Sequence, residues 1–162
     1  MILVLLARDA DINRYSLTHL TTYSLNHLTT YSLSVNNEGN SGLMIACKRG
    51  NQAIAEHLSN NGAVIDAQNK DGVTALLFAV SNGHEQIVPL LGSLGADLNL
   101  VTSEGNTALM LACERGLKNA VEYLALSGAG LNTRNSAGFA ALTLAAMNGH
   151  KDIVLMLLKY GK

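Results

Sequence analysis

The sequence predicts an all-α solenoid of stacked helix-turn-helix units. Three observations point to it. Glycine recurs at one fixed interval on three ladders: Gly39, Gly72, Gly105 and Gly138; Gly50, Gly83, Gly116 and Gly149; Gly62, Gly95, Gly128 and Gly161. Leucine keeps the same interval at Leu58, Leu91, Leu124 and Leu157. The 48% hydrophobic content leans on Ala and Leu, with no Trp and a single Pro, which suits short helices packed closely on one another. Several ladders in one register mark a tandem repeat of supersecondary units, each too small to bury its apolar face alone.

The totals exclude some classes. With 11 basic and 12 acidic residues among 162 the net charge is −1, so the chain lacks the basic footprint of a nucleic-acid or anionic-membrane binder. No run approaches the ~18 apolar residues of a membrane span. Cys47 and Cys113 occupy one repeat position two units apart. At about 8–10 Å per packed layer they lie beyond the ~7 Å limit for a disulfide, so both read as small buried side chains. Two free thiols point to a reducing, intracellular setting, cytoplasmic or nuclear.

Taken in order, residues 1–13 read as a partial N-terminal repeat. The start Met1-Ile2-Leu3-Val4-Leu5-Leu6-Ala7 has no basic n-region and no small-residue cleavage pattern, so it is not a signal peptide. Its sequel, Leu5 to Asn13, parallels Leu90 to Asn99. Asp9 corresponds to Gly62 yet stands much further before it than one period, so extra sequence has entered between Asn13 and Asn36. That sequence is a small repeat of its own: Tyr15 to Thr22, Tyr23 to Thr30, then Tyr31-Ser32-Leu33-Ser34. Thr, Tyr and Ser favour extended backbone, but the Leu positions show no two-residue alternation, so 14–35 reads as a loop-like insertion of period 8. His19 and His27, at matching places in it, have no Cys or carboxylate nearby to complete a metal site.

From there the units run 36–68, 69–101, 102–134 and 135–162, the last one truncated. In 69–101, Asp71-Gly72 predicts a tight turn and Thr74 an N-cap whose hydroxyl accepts a free helix N–H. A two-turn helix follows from Ala75 to Ser81, with Leu76 and Ala79 on one face. Asn82-Gly83 predicts a left-handed cap. His84-Glu85 opens a second helix carrying Ile87, Val88, Leu90 and Leu91, and Gly95 closes it. Helices under ~12 residues are marginal alone, so their apolar faces must be buried against neighbouring units. Pro89 falls inside the second helix. There it is inexpensive in the first turn and worth ~3 kcal/mol deeper in, which makes this helix the weak point of the stack.

No catalytic or metal constellation stands out. His84-Glu85-Gln86-Ile87-Val88 puts Val where a zinc-binding helix needs its second His. His57 sits beside Glu56 on a solvated helix face. No glycine-rich phosphate loop ends in Lys-Ser or Lys-Thr, and the glycines are explained as repeat turns. The reading is therefore no enzyme, no cofactor and no metal.

The repeated unit of turn, Gly, Thr-x-Leu, Ala, Gly-His, Ile-Val, Leu-Leu and Gly-Ala resembles the ankyrin repeat in order and in length. The likeness is strong over 36–162 and weak over 1–13. The resemblance implies paired antiparallel helices with projecting β-hairpin fingers. It also implies a curved stack whose concave face binds another protein. The sequence departs from the family at its Thr-Pro-Leu-His tetrapeptide. Here that is Ser41-Gly42-Leu43-Met44, Thr74-Ala75-Leu76-Leu77, Thr107-Ala108-Leu109-Met110 and Ala140-Ala141-Leu142-Thr143. The His and Pro are missing from all four, and Ala140 lacks the capping hydroxyl, worth about 1 kcal/mol.

The resemblance places partner contacts on the finger tips and the solvent side of each first helix. In the first unit these are Asn37, Glu38, Asn40, Lys48 and Arg49, and in the second Lys70, Asp71, Val73, Ser81 and Asn82. The third supplies Ser103, Glu104, Asn106, Glu114 and Arg115. Ser136, Ala137, Phe139, Met147 and Asn148 follow in the fourth. Val73 and Phe139 are expected to be exposed apolar contacts, and Arg115 and Arg134 interface anchors. The function expected is a protein–protein interaction module, a scaffold or adaptor. The alternatives are a regulatory or targeting segment of a larger polypeptide such as a kinase, and end-to-end self-association through ends without polar capping repeats.

Overall fold

The computed structural model describes residues 35–161. The partial repeat at 1–13 and the insertion at 14–35, Val35 apart, lie outside the described residues, and so do His19 and His27. Among the described residues the fold is four helix pairs: α1 (Gly42–Lys48) with α2 (Gln52–Asn60), α3 (Ala75–Ser81) with α4 (Ile87–Ser93), α5 (Ala108–Arg115) with α6 (Lys118–Leu126), and α7 (Ala141–Met147) with α8 (Lys151–Tyr160).

The first helices of three pairs start where a hydroxyl can cap them. The side chains of Ser41, Thr74 and Thr107 accept the N–H of Met44, Leu77 and Met110 at 3.3, 3.2 and 3.2 Å. Ala140 holds the same extended backbone, φ −94° and ψ 166°, and has no such bond. In the first pair the backbone N–H of Ser41 also donates to the Met44 sulfur at 3.3 Å. A thioether thus occupies part of the role of the missing tetrapeptide His. Glycine closes each first helix. Gly50 and Gly116 have φ of +72° and +74°, a region that a Cβ makes costly for other residues.

Consecutive first helices pack on each other, as do α4 on α6 and α6 on α8. Between the two layers lies one continuous core. Leu43, Leu76 and Leu109, with Ala46, Ala79 and Ala112, enter it from the first helices. Leu58, Leu91, Leu124 and Leu157, with Ile54, Ile87, Val121 and Ile153, enter from the second. Each large aliphatic side chain so buried contributes about 1.5–3 kcal/mol.

Two expectations are corrected. The second helix of its pair begins at Ile87, not at Glu85. Its equivalents begin at Gln52, Lys118 and Lys151, two positions earlier in the repeat. Pro89 has no N–H to give the Glu85 carbonyl, so the segment enters on three-residue bonds, Ile87 N–H to His84 O and Val88 N–H to Glu85 O. Pro89 therefore stands in the first turn, where its missing donor would be unpaired in any case. The helix is short rather than broken.

The fingers are likewise tighter than hairpins. Only single antiparallel bridges form, Val35 with Ser41 and Val101 with Thr107, and no strand occurs among the described residues. Each finger is closed by two backbone bonds: the N–H of Asn36, Asn69, Thr102 and Asn135 donates to the carbonyl of Asn40, Val73, Asn106 and Phe139, and their own carbonyls accept the N–H of Gly39, Gly72, Gly105 and Gly138. The same four residues bend the loop with their side-chain oxygens. Asn69 Oδ1, for example, accepts the N–H of Asp71 at 3.0 Å and of Val73 at 2.8 Å. The chain enters the helix at Gly42 and Ala108, directly after the bridge residues Ser41 and Thr107, so the pairing cannot lengthen away from the tip.

In the last pair, positions that are buried earlier in the stack open to solvent. Met44, Leu77 and Met110 are about 1% exposed, whereas Thr143 at the same position is half-buried. Buried Cys47, Val80 and Cys113 give way to exposed Ala146. This face is thus partly softened by small and polar residues, although Leu158 is 51% exposed.

Candidate binding face

The finger tips form one row. The Lys70 N–H donates to the Glu38 carbonyl at 3.2 Å, Ser103 to Asp71 at 2.8 Å and Ser136 to Glu104 at 3.0 Å. This backbone ladder ties each finger to the one before it, one repeat apart, so the tip side chains stand at fixed spacing. Asn37, Glu38, Lys70, Asp71, Ser103, Glu104, Ser136 and Ala137 are all exposed there.

A second exposed row follows the solvent ends of the first helices. Lys48, Asn82, Glu114, Arg115, Met147 and Asn148 are exposed or nearly so, and Arg49 and Ser81 are half-buried. Lys48 Nζ lies 5.4 Å over the Phe78 ring of the next pair, a cation–π contact along the stack. Arg134 is exposed and spends a guanidinium N–H on the Gly138 carbonyl of its own finger at 2.8 Å.

Four residues expected on this surface sit differently. Asn40 is only 2% exposed and so is no contact residue. Its amide donates to Glu38 Oε2 at 2.7 Å, and its Oδ1 accepts the Asn69 amide at 2.7 Å. Asn106 is half-buried and takes the matching place, accepting the Asn135 amide at 2.8 Å. Val73 is half-buried against the core, and Phe139 is half-buried at the equivalent position. Neither is the exposed apolar contact expected. The position lies at the base of the finger, where the chain turns back into the stack.

A family model described as ankyrin repeats (three copies) matches residues 1–102 and again 89–162. The chain belongs to the ankyrin repeat family. No curated protein matches it. Ankyrin repeats are in general protein–protein interaction modules and typically non-catalytic.

Within this ankyrin array the junctions are not alike. Those between pairs 1 and 2 and between pairs 3 and 4 share two side-chain links. One is the Asn–Asn bond at the finger base. The other is a histidine: Nε2 of His84 and of His150 lies 3.2 and 3.1 Å from the carbonyls of Lys48 and Glu114. A carbonyl only accepts, so that nitrogen carries the proton. The middle junction has neither link. Thr102 offers no amide, Val73 no acceptor, and Leu117 stands where the histidine would be. It is tied instead by the Gln68 amide, which donates to the Val101 carbonyl at 3.2 Å, and nearer the back of the stack, where Glu85 Oε2 accepts the Ala120 N–H at 3.0 Å and Asn99 Oδ1 the Gly130 N–H at 2.8 Å.

Between the second and third fingers this arrangement leaves a groove of about 340 Å³. Val73, Leu77, Phe78 and Leu111 supply its apolar lining, and Asp71 and Glu104 its charged groups. Among the described residues no group of three or more His, Cys, Asp or Glu could hold a metal, and no helix is long and apolar enough to cross a membrane.

Proposed function

We propose that this chain is a protein-interaction module, a scaffold or adaptor rather than an enzyme, which holds a partner protein on its finger and first-helix face. The backbone ladder between fingers carries the reading. It fixes a row of exposed polar side chains before any partner arrives, so little conformational entropy is lost at the interface. The contact set is Asn37, Glu38, Lys70, Asp71, Ser103, Glu104 and Ser136 on the fingers, with Lys48, Glu114, Arg115, Met147 and Asn148 at the helix ends. An intracellular setting, cytoplasmic or nuclear, fits two buried free thiols.

A photo-crosslinking residue placed at Ser103, and separately at Glu122 on an outer helix, tests this in cell extract. Adducts to one protein from position 103 and none from 122 support it. Adducts from 122 alone move the site to the back of the stack.

A second reading is association of arrays end to end, favoured by exposed Leu158 and half-buried Leu142 and Val154 on the last pair. Sedimentation of the intact chain tests it. A single monomeric species up to high concentration sinks it.

A further inference from the structure

We propose that the groove at the middle junction is an arginine-binding subsite, filled by one Arg side chain from an extended segment of the partner protein. The inference rests on the interaction-module reading and adds the chemistry of the occupant.

The groove exists because of what its walls lack. At the two outer junctions an Asn amide reaches across the finger bases at 2.7 and 2.8 Å; at the middle one Val73 faces Thr102 without that bond, and the amide that crosses is that of Gln68, which donates to the Val101 carbonyl at 3.2 Å and does not line the groove. The lining left behind is amphipathic in a particular way. Val73, Phe78 and Leu111 give it an apolar floor, while Asp71 and Glu104 stand on the two fingers that flank it.

The charge is uncompensated. Among the described residues the Asp71 carboxylate meets no donor or cation, and Glu104 uses one oxygen, accepting from Asn106 at 3.2 Å. No basic residue lines the groove. Lys70 leans the other way, its Cγ 3.6 Å from where a Cβ on Gly39 would stand, over the first finger. Lys48 lies over Phe78 from the first pair and does not line the groove.

An aliphatic stem ending in a planar fork of donors matches both features. The methylenes lie on the apolar floor, and the guanidinium reaches carboxylates on both sides. Lys offers one compact charge and no fork, so it satisfies two separated carboxylates less well.

The test is a titration of the full-length isotope-labelled chain with three acetylated pentapeptides, Gly-Ser-Arg-Ser-Gly and its Lys and norleucine counterparts, read at the methyls of Val73, Leu77 and Leu111. The Arg peptide is expected to give saturable shifts there, several-fold tighter than Lys and about tenfold or more tighter than norleucine. Asp71→Asn with Glu104→Gln is expected to abolish the preference while the remaining spectrum stays in place. Both positions are exposed. Val73→Asn combined with Thr102→Asn, which together copy the pairs 40 with 69 and 106 with 135, is expected to close the groove and weaken all three peptides.

No saturable shift, equal binding of the three peptides, or a preference that survives the double variant overturns the assignment. So does a shift of the same methyls with protein concentration alone, which makes a second copy of the chain the occupant. A partner crosslinked through position 103 with no response to the Arg peptide removes this inference and leaves the module reading standing.

Discussion

The side-chain amide of Asn69 donates to Asn40 Oδ1 across 2.7 Å, joining the bases of the first two fingers. Asn40 is buried, so its deletion strands a donor in a place that water reaches poorly. Asn40→Ala is expected to lower stability by about 1–3 kcal/mol in urea unfolding. Asn69→Thr, which copies position 102, keeps the turn-capping oxygen and removes only the amide. A double-mutant cycle between the two should return at least ~0.5 kcal/mol of coupling, and additive losses would show the bond to be idle.

Gly50 and Gly83 share a left-handed backbone, φ +72° and +79°, but not a neighbourhood. A Cβ on Gly50 would stand 2.5 Å from His84 Nδ1, while one on Gly83 meets nothing within 4 Å. The ring cannot easily withdraw, because its Nε2–H is bonded to the Lys48 carbonyl. Gly83→Ala should cost only the backbone penalty of about 1–2 kcal/mol. Gly50→Ala should cost more, and adding His84→Ala should recover part of the excess. Equal losses at the two glycines would contradict this.

Ala140 occupies an N-cap in the same conformation as Thr74 and Thr107 but has no oxygen to cap with. Ala140→Thr is expected to raise stability by about 1 kcal/mol, read as a higher urea midpoint with an unchanged slope.

Pro89 stands at the third position of its helix. Its replacement by Ala should change stability by less than ~1 kcal/mol, against ~3 kcal/mol for a proline deep in a helix. A large gain would place the ring further inside than its hydrogen bonding indicates.

Burial raises the thiol pKa of Cys47 and of Cys113 from 9.0 to about 12. Between those values the unfolded chain releases thiol protons that the folded chain keeps. The stability is therefore whole below about pH 9 and declines as pH rises toward 12, by up to ~1.4 kcal/mol per pH unit for each thiol. The double Cys→Val variant should flatten that decline in melts run from mildly alkaline pH upward.

The solenoid was legible because its signals are periodic and local. Gly83 and Gly116 need a positive φ, Thr74 and Thr107 cap helices, and Leu76 and Leu109 recur on the buried face. Each requirement is met close by in the chain. The binding face was legible only in outline. Asn40 reads as a solvated turn residue from its polarity, and only the approach of Asn69 from the next unit makes it a buried strut. Val73 and Phe139 mislead in the same way: the finger base dips into the stack, a feature of tertiary packing with no mark in a single unit. A signal for the finger lock was present at 36, 69, 102 and 135, where Asn, Asn, Thr and Asn each carry a short side-chain oxygen. The groove could not be read at all. It arises from an absent contact between two units whose side chains do not match.

The alternation of junctions has a consequence for how such a chain can grow. Asn40 and Asn106 stand two repeats apart, as do His84 and His150, so the structural module is a doublet of repeats. An inserted doublet would keep every amide and imidazole opposite its acceptor and create one more open seam. An inserted single repeat would set two like surfaces face to face and leave one donor without its mate. Lengthening by doublets therefore multiplies grooves at a spacing of two repeats, a ruler that an extended partner with evenly spaced side chains could read.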